Sequence, residues 1–183
     1  MTGSGALHQK PNRPERMITV VQGEYRISRE PDVAFTTILG SCVAACICDP
    51  GAGIGGLNHF LLPGDDRSGS VELKYGSMAM ELLINALLKE GARRQALEVK
   101  LFGGARISAH LSDIGSKNIA FARDYVRREG FPVVSESLGG TQARRLHFTP
   151  VTGHVRMMLV ARTQAPAETL ATARRPKSDV ELF

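Results

Sequence analysis

The sequence has no tryptophan, and aromatic residues make up only 5% of it. A surface that stacks nucleic-acid bases needs aromatic faces interleaved with basic side chains, and no such stripe occurs. The net charge of +5 does not restore that reading. Much of the excess lies near the ends, in Lys10, Arg13, Arg16, Arg162, Arg174, Arg175 and Lys177, as solvated tails would carry it. Nucleic acid is therefore not the expected partner. Long apolar runs are also missing: nothing approaches the roughly 20 consecutive residues of a spanning helix. Met1 to Arg16 lacks the apolar run of a signal peptide, so the expectation is a cytoplasmic chain without membrane insertion. Cysteine is scarce, with three residues. An odd count, with Cys46 and Cys48 two apart on one presumptive strand, makes no disulfide framework and fits reduced thiols. Nucleotide-binding loops are absent, since Gly103-Gly104 and Gly139-Gly140 do not form a GxGxxG or P-loop pattern and read as turns.

What is present is enough for one domain: 183 residues, 43% of them hydrophobic, can bury a real core. Gly, Pro and polar residues dominate the start of the chain, and Pro, Ala and charged residues its end. These compositions predict disordered tails over 1–16 and 164–183 around a folded domain spanning 17–163. Within it, Ile18 to Val21, Tyr25 to Ser28, Val33 to Ile38, Cys42 to Cys48, Ile54 to Leu62, Ala96 to Phe102 and Val133 to Ser135 read as strands. Ala143 to Phe148 and His154 to Ala161 read as a last hairpin. Met78, Leu82, Leu83, Ala86 and Leu87 recur at helical spacing before a stop at Gly91, and a second helix is predicted over Ser116 to Glu129 before Gly130. Pro63 to Ser70 reads as a polar loop beyond His59, either a plain connection or part of a substrate rim. Many hairpins and two long helices predict an α+β domain, a layered mixed β core with the helices packed outside.

The most informative stretch is TTILGSCVAACICDPGAGIGGLNHFLLP, from Thr36 to Pro63. Its two apolar segments flank the turn signal Asp49-Pro50-Gly51-Ala52-Gly53 and predict a hairpin. That hairpin brings Cys42, behind a Gly-Ser turn, beside His59, with Thr36 approaching on the incoming segment. A thiol of ordinary pKa is only a few per cent thiolate at neutral pH, and an imidazole that takes its proton supplies the attacking species. Gly40 permits close approach or an unusual backbone angle, and amides around Ser41 and Cys42 can point at a developing oxyanion.

A buried cysteine is more often packing than chemistry, and Cys46 and Cys48, in mid-strand, stay with packing. Cys42 differs by its edge position after Leu-Gly-Ser. The set Cys42, Cys46, Cys48 and His59 lacks the paired spacing of a zinc site, and no metal is expected. His110, His147 and His154 have no cysteine or carboxylate at ligand spacing. Asn58 should face away from the site if His59 faces it. Arg144, on a late strand, reads either as one half of a structural ion pair or as part of the site rim.

TTILGSCVAACICDP followed by GIGGLNHFLLP resembles the CheD family of chemoreceptor glutamine deamidases, with its T-x-x-x-G-S-C segment and a strand ending in a histidine before L-P. LKYGSMAMELLINALLKEGA, KLFGGARI, DIGSKNIAFARDYVRREGFPV and LGGTQARRLHFTPVTGHV extend the likeness over most of the chain. The resemblance implies a similar layered fold and deamidation of protein glutamines without metal or organic cofactor. It places the family's catalytic cysteine on Cys42, its histidine on His59 and its threonine on Thr36, and Arg144 matches an arginine of the pattern. It implies chemoreceptor cytoplasmic helices as substrate, in some members receptor methyl esters as well, and the phosphatase CheC as a partner. Two other readings share these residues: a thiol amidase, protease or esterase of different substrate, and a non-catalytic adaptor binding receptors or CheC.

Overall fold

The computed structural model describes residues 16–62, 70–107 and 112–160. Among them the chain forms nine strands and two long helices. A four-stranded sheet has the order β1 (Arg16–Thr19), β3 (Val33–Leu39), β8 (Ala143–Thr149), β9 (His154–Val160). A five-stranded sheet has the order β2 (Tyr25–Ser28), β5 (Ile54–Phe60), β4 (Val43–Asp49), β6 (Glu98–Gly103), β7 (Val133–Leu138). Both sheets are mixed: β1 runs parallel to β3 and β6 parallel to β7, while the other pairs are antiparallel. The helices α1 (Ser70–Lys89) and α2 (Ser112–Arg128) pack on the five-stranded sheet. The result is the expected α+β architecture in three layers: sheet, sheet, helices.

Strand alternation divides the core in two. From β4 and β6, Val43, Ala45, Ile47, Val99 and Leu101 face the helices and meet Met80, Leu83, Ile84 and Leu87 of α1 and Phe121, Ala122, Tyr125 and Val126 of α2. Ala44, Cys46 and Cys48 face the other way and pack on Val33, Phe35, Leu39, Leu146 and Phe148 of the four-stranded sheet. Because β4 is covered on both faces, every one of its residues is buried, which explains its unbroken apolar run. Each large side chain buried here contributes about 1.5–3 kcal/mol of transfer free energy.

Boundaries shift in physically intelligible ways. The apolar stripe of α1 is Met80, Leu83, Ile84 and Leu87; Met78 and Leu82, expected to pack, lie about half exposed on the solvent side. Ser70, read as loop, opens α1, and α2 begins at Ser112, a turn before Ser116. Arg16 is not a tail residue: it opens β1 and bonds Glu30. The tails before Arg16 and after Val160, the loop 63–69 and His110 lie outside the described residues. The described helices include none long and apolar enough to cross a membrane.

Candidate active site

The β4–β5 hairpin closes as its turn chemistry predicts, with Val43 opposite Phe60 and Ala44 opposite His59. Cys42 sits in the turn immediately before β4 and His59 projects from β5 into the space between the two sheets. There His59 Nε2 lies 2.8 Å from Cys42 Sγ. Both are nearly enclosed, Cys42 4% and His59 6% exposed. The backbone of His59 is held on both sides, its amide donating to the Glu24 carbonyl and its carbonyl accepting from Gly23.

The other ring nitrogen fixes the tautomer. His59 Nδ1 lies 2.9 Å from Thr37 Oγ1 and 3.4 Å from the Val20 carbonyl oxygen. A carbonyl can only accept, so the proton belongs on Nδ1 and the lone pair of Nε2 faces the thiol. Burial pushes the imidazole pKa down from 6.5 to about 4, against a smaller upward pull from the Val20 carbonyl. At neutral pH the ring is an uncharged acceptor aimed at a thiol.

The threonine beside the histidine is Thr37, not Thr36 as expected. Strand alternation decides between them: Val33, Phe35 and Leu39 of β3 face the second sheet, and Thr37 shares their parity. Thr36 points to the opposite face, across from His147 of β8, and its buried hydroxyl has no hydrogen-bond partner among the described residues. The period-two pattern of Val33, Phe35 and Leu39 was the available signal, since it puts Thr37 on the core face.

The turn that carries Cys42 is gripped at three successive carbonyls. The Gly40 oxygen accepts from Ala105 N at 2.7 Å and the Cys42 oxygen from Gly104 N at 2.8 Å. The Ser41 oxygen accepts from Asn118 Nδ2 at 3.2 Å. Gly103, at φ +112°, lies so close that a β-carbon there would fall on the Cys42 carbonyl oxygen. Gly40 and Ser41 thus have their carbonyls drawn toward the 103–105 segment and α2. Asn118 escaped the sequence reading, although it sits on the apolar stripe of α2 four residues after Ile114 and three before Phe121, where a polar side chain is anomalous.

Among the described residues Arg144 forms no ion pair, and it is buried and does not stand on an open rim. Only 5% exposed, its guanidinium donates to Gly103 O, Gly139 O and Ser137 Oγ, and desolvation lowers its pKa. It staples the 103–104 turn to the 139–140 turn, one contact removed from the cysteine. Asn58 faces α1, bonded to Ala45 N and Ala79 O, as alternation requires of the neighbour of His59. Cys46 and Cys48 are buried between the sheets. Burial pushes both thiols up, Cys48 to about 11. Among the described residues no group of three or more His, Cys, Asp or Glu is arranged to hold a metal.

This geometry belongs to a sequence with many relatives. Residues 61–159 match the family model described as CheD chemotactic sensory transduction. A protein of a Caulobacter species, named probable chemoreceptor glutamine deamidase CheD, is 52% identical over 98% of this chain and 99% of its own. Its namesake from Caulobacter vibrioides is 49% identical over 96% and 97%, and that from Agrobacterium fabrum 46% over 92% and 97%. Among solved structures, a hypothetical protein YfiH of Bacillus licheniformis aligns at TM-score 0.44 and 12% identity, over 70% of this chain and 61% of that one. With half its length matched by the family model and its full span by such relatives, the chain belongs to the CheD family.

Proposed function

We propose that this chain is a chemoreceptor glutamine deamidase of chemotaxis, a thiol hydrolase that converts receptor glutamines to glutamate with release of ammonia. The observation that carries the chemistry is the 2.8 Å contact between Cys42 Sγ and the acceptor nitrogen of His59. The names of relatives sharing about half its sequence over nearly the whole chain support the substrate.

The steps follow from the geometry. His59 Nε2 takes the Cys42 proton as sulfur attacks the glutamine carboxamide carbon, and the resulting imidazolium stays beside the charge it has created. The tetrahedral oxyanion is stabilised by backbone amides at the Ser41–Cys42 turn. As the C–N bond breaks, His59 returns the proton to nitrogen and ammonia leaves a glutamyl thioester. His59 then takes a proton from water, hydroxide adds to the thioester, and the C–S bond breaks to release glutamate and the thiol. Thr37 and the Val20 carbonyl hold the ring in the tautomer this sequence needs. The Gly40 carbonyl, bonded to Ala105 N, ties down the turn, and Arg144 and Gly103 support it from behind. The reaction as written uses only these groups and water.

The substrate is the cytoplasmic helical region of the receptor, which places the enzyme in the cytoplasm, and CheC is the regulatory partner that the family likeness suggests. The test is mass spectrometry of purified receptor cytoplasmic fragments incubated with the full chain, read together with ammonia release. Conversion of defined glutamines by the wild type and none by Cys42→Ser is the expected result. Peptide fragments without ammonia point to a protease, and binding without either product to an adaptor.

A further inference from the structure

Asn118 lies on α2, is 0% exposed, and spends its whole carboxamide on backbone. Its Nδ2 donates to Ser41 O at 3.2 Å and to Ile114 O at 2.9 Å, and its Oδ1 accepts from Leu62 N at 2.9 Å. The three partners are not equivalent. Ile114 belongs to the same helix and fixes the rotamer. Ser41 directly precedes Cys42, and Leu62 follows His59 by three residues. One side chain therefore spans the two segments that carry the thiol and the imidazole. Core packing alone does not call for asparagine at this position, because a leucine of similar size suits the stripe. Leucine would, however, leave the buried Ser41 carbonyl and Leu62 amide without these bonds.

The grip on Ser41 has a directional consequence. A trans peptide is planar, with its N–H antiparallel to its C=O. With the Ser41 carbonyl drawn to α2, the N–H of Cys42 is directed to the opposite side of the turn. We infer that Asn118 is a positioning residue of the reaction: from α2 it sets the plane of the Ser41–Cys42 peptide, and with it the aim of the Cys42 amide at the reacting carbonyl. This rests on the deamidase reading. Asn118 touches no reacting atom; it acts through the turn, while Thr37 and Val20 act through the imidazole.

The test uses the full chain and a receptor cytoplasmic fragment, with wild type, Asn118→Asp and Asn118→Ala compared at a temperature where circular dichroism shows each folded. Asn118→Asp keeps an acceptor for Leu62 but loses both donors. Its kcat for ammonia release is expected to fall about 10–100-fold, in the range of supporting-contact losses, with KM and the rate of Cys42 alkylation by iodoacetamide within about threefold of wild type, since the Cys42–His59 contact survives. Lowering the pH narrows the gap, because the introduced buried carboxyl regains a donor when it protonates. Asn118→Ala shows the kcat loss without that recovery. A kcat per folded molecule equal to wild type in both variants overturns the inference, as does failure of both to fold, which assigns Asn118 to stability alone. Wild type that releases no ammonia overturns the deamidase reading itself, and the inference with it.

Discussion

The hydroxyl of Thr37 lies 2.9 Å from Nδ1 of His59, on the side of the ring away from Cys42. Two neighbouring threonines thus stand in opposite relations to one histidine. Thr37→Val removes a hydrogen bond to the ring and is expected to lower kcat by about 10–100-fold while the fold persists. Thr36→Val removes a buried hydroxyl that has no partner among the described residues, so it is expected to cost nothing in bonding and to relieve a desolvated group. Its turnover should match wild type and its urea midpoint should stay level or rise. Steady-state ammonia release from the two variants decides the matter; equal losses in both remove Thr37 from its special place.

Stability should depend on pH through the same imidazole. His59 has a folded pKa of about 4 against 6.5 for the free side chain, so between these values the unfolded chain binds more protons. Its contribution is complete above pH 6.5 and is lost as the pH falls towards 4. His147, lowered by desolvation and by Arg145 and Arg156, acts in the same direction. Asp49, held well below the carboxylate range chiefly by its hydrogen bond from Arg93, contributes stability that is complete above its unfolded pKa of 3.8 and is lost only in more acid solution. Urea titrations at successive pH values should therefore show a slope between pH 6.5 and 4 that His59→Gln flattens. A slope unchanged by that substitution would mean the ring is not held neutral.

The hairpin and the meeting of Cys42 with His59 were legible because the signals were local. A turn sequence between two apolar runs sets the register, and the register sets which end of one strand meets which end of the other. Thr37 was within reach of the same reasoning, since the parity of Val33, Phe35 and Leu39 marks the inward face. Asn118 and Arg144 were not, because each acts on backbone carbonyls more than forty positions away or across the sandwich, and no spacing in the sequence encodes that. The exposed Met78 and Leu82 show the limit of helical periodicity: a helix with apolar residues on more than one side does not declare which stripe the sheet will cover.

Thiol chemistry separates the three cysteines. Cys46 and Cys48 are sealed between the sheets, and burial raises both thiols away from the reactive thiolate, whereas Cys42 has a neutral base at 2.8 Å. A limiting dose of iodoacetamide at neutral pH should modify Cys42 first, and activity should fall in proportion. His59→Ala should slow that labelling, while Cys46→Ala and Cys48→Ser leave it fast. Peptide mapping that found three equally slow thiols, reacting only as the protein unfolds, would reduce Cys42 to a core residue.

Gly103 and Gly130 provide a matched pair for testing the Cys42 turn. Both have positive φ, +112° and +72°, but among the described residues a β-carbon at Gly130 meets nothing within 4 Å, whereas one at Gly103 collides with the Cys42 carbonyl. Gly130→Ala should therefore cost only the backbone term, about 1–2 kcal/mol, with turnover unchanged. Gly103→Ala pays that term and must also displace a carbonyl already bonded to Gly104 N at 2.8 Å. The displaced atom belongs to Cys42, the proposed nucleophile, so the loss should appear in kcat as well as in melting temperature. Ammonia release measured well below the melting temperature of each variant separates the two effects. If Gly103→Ala loses stability no more than Gly130→Ala and turns over at the wild-type rate, the turn tolerates displacement and the close backbone approach at Gly103 has no part in placing Cys42.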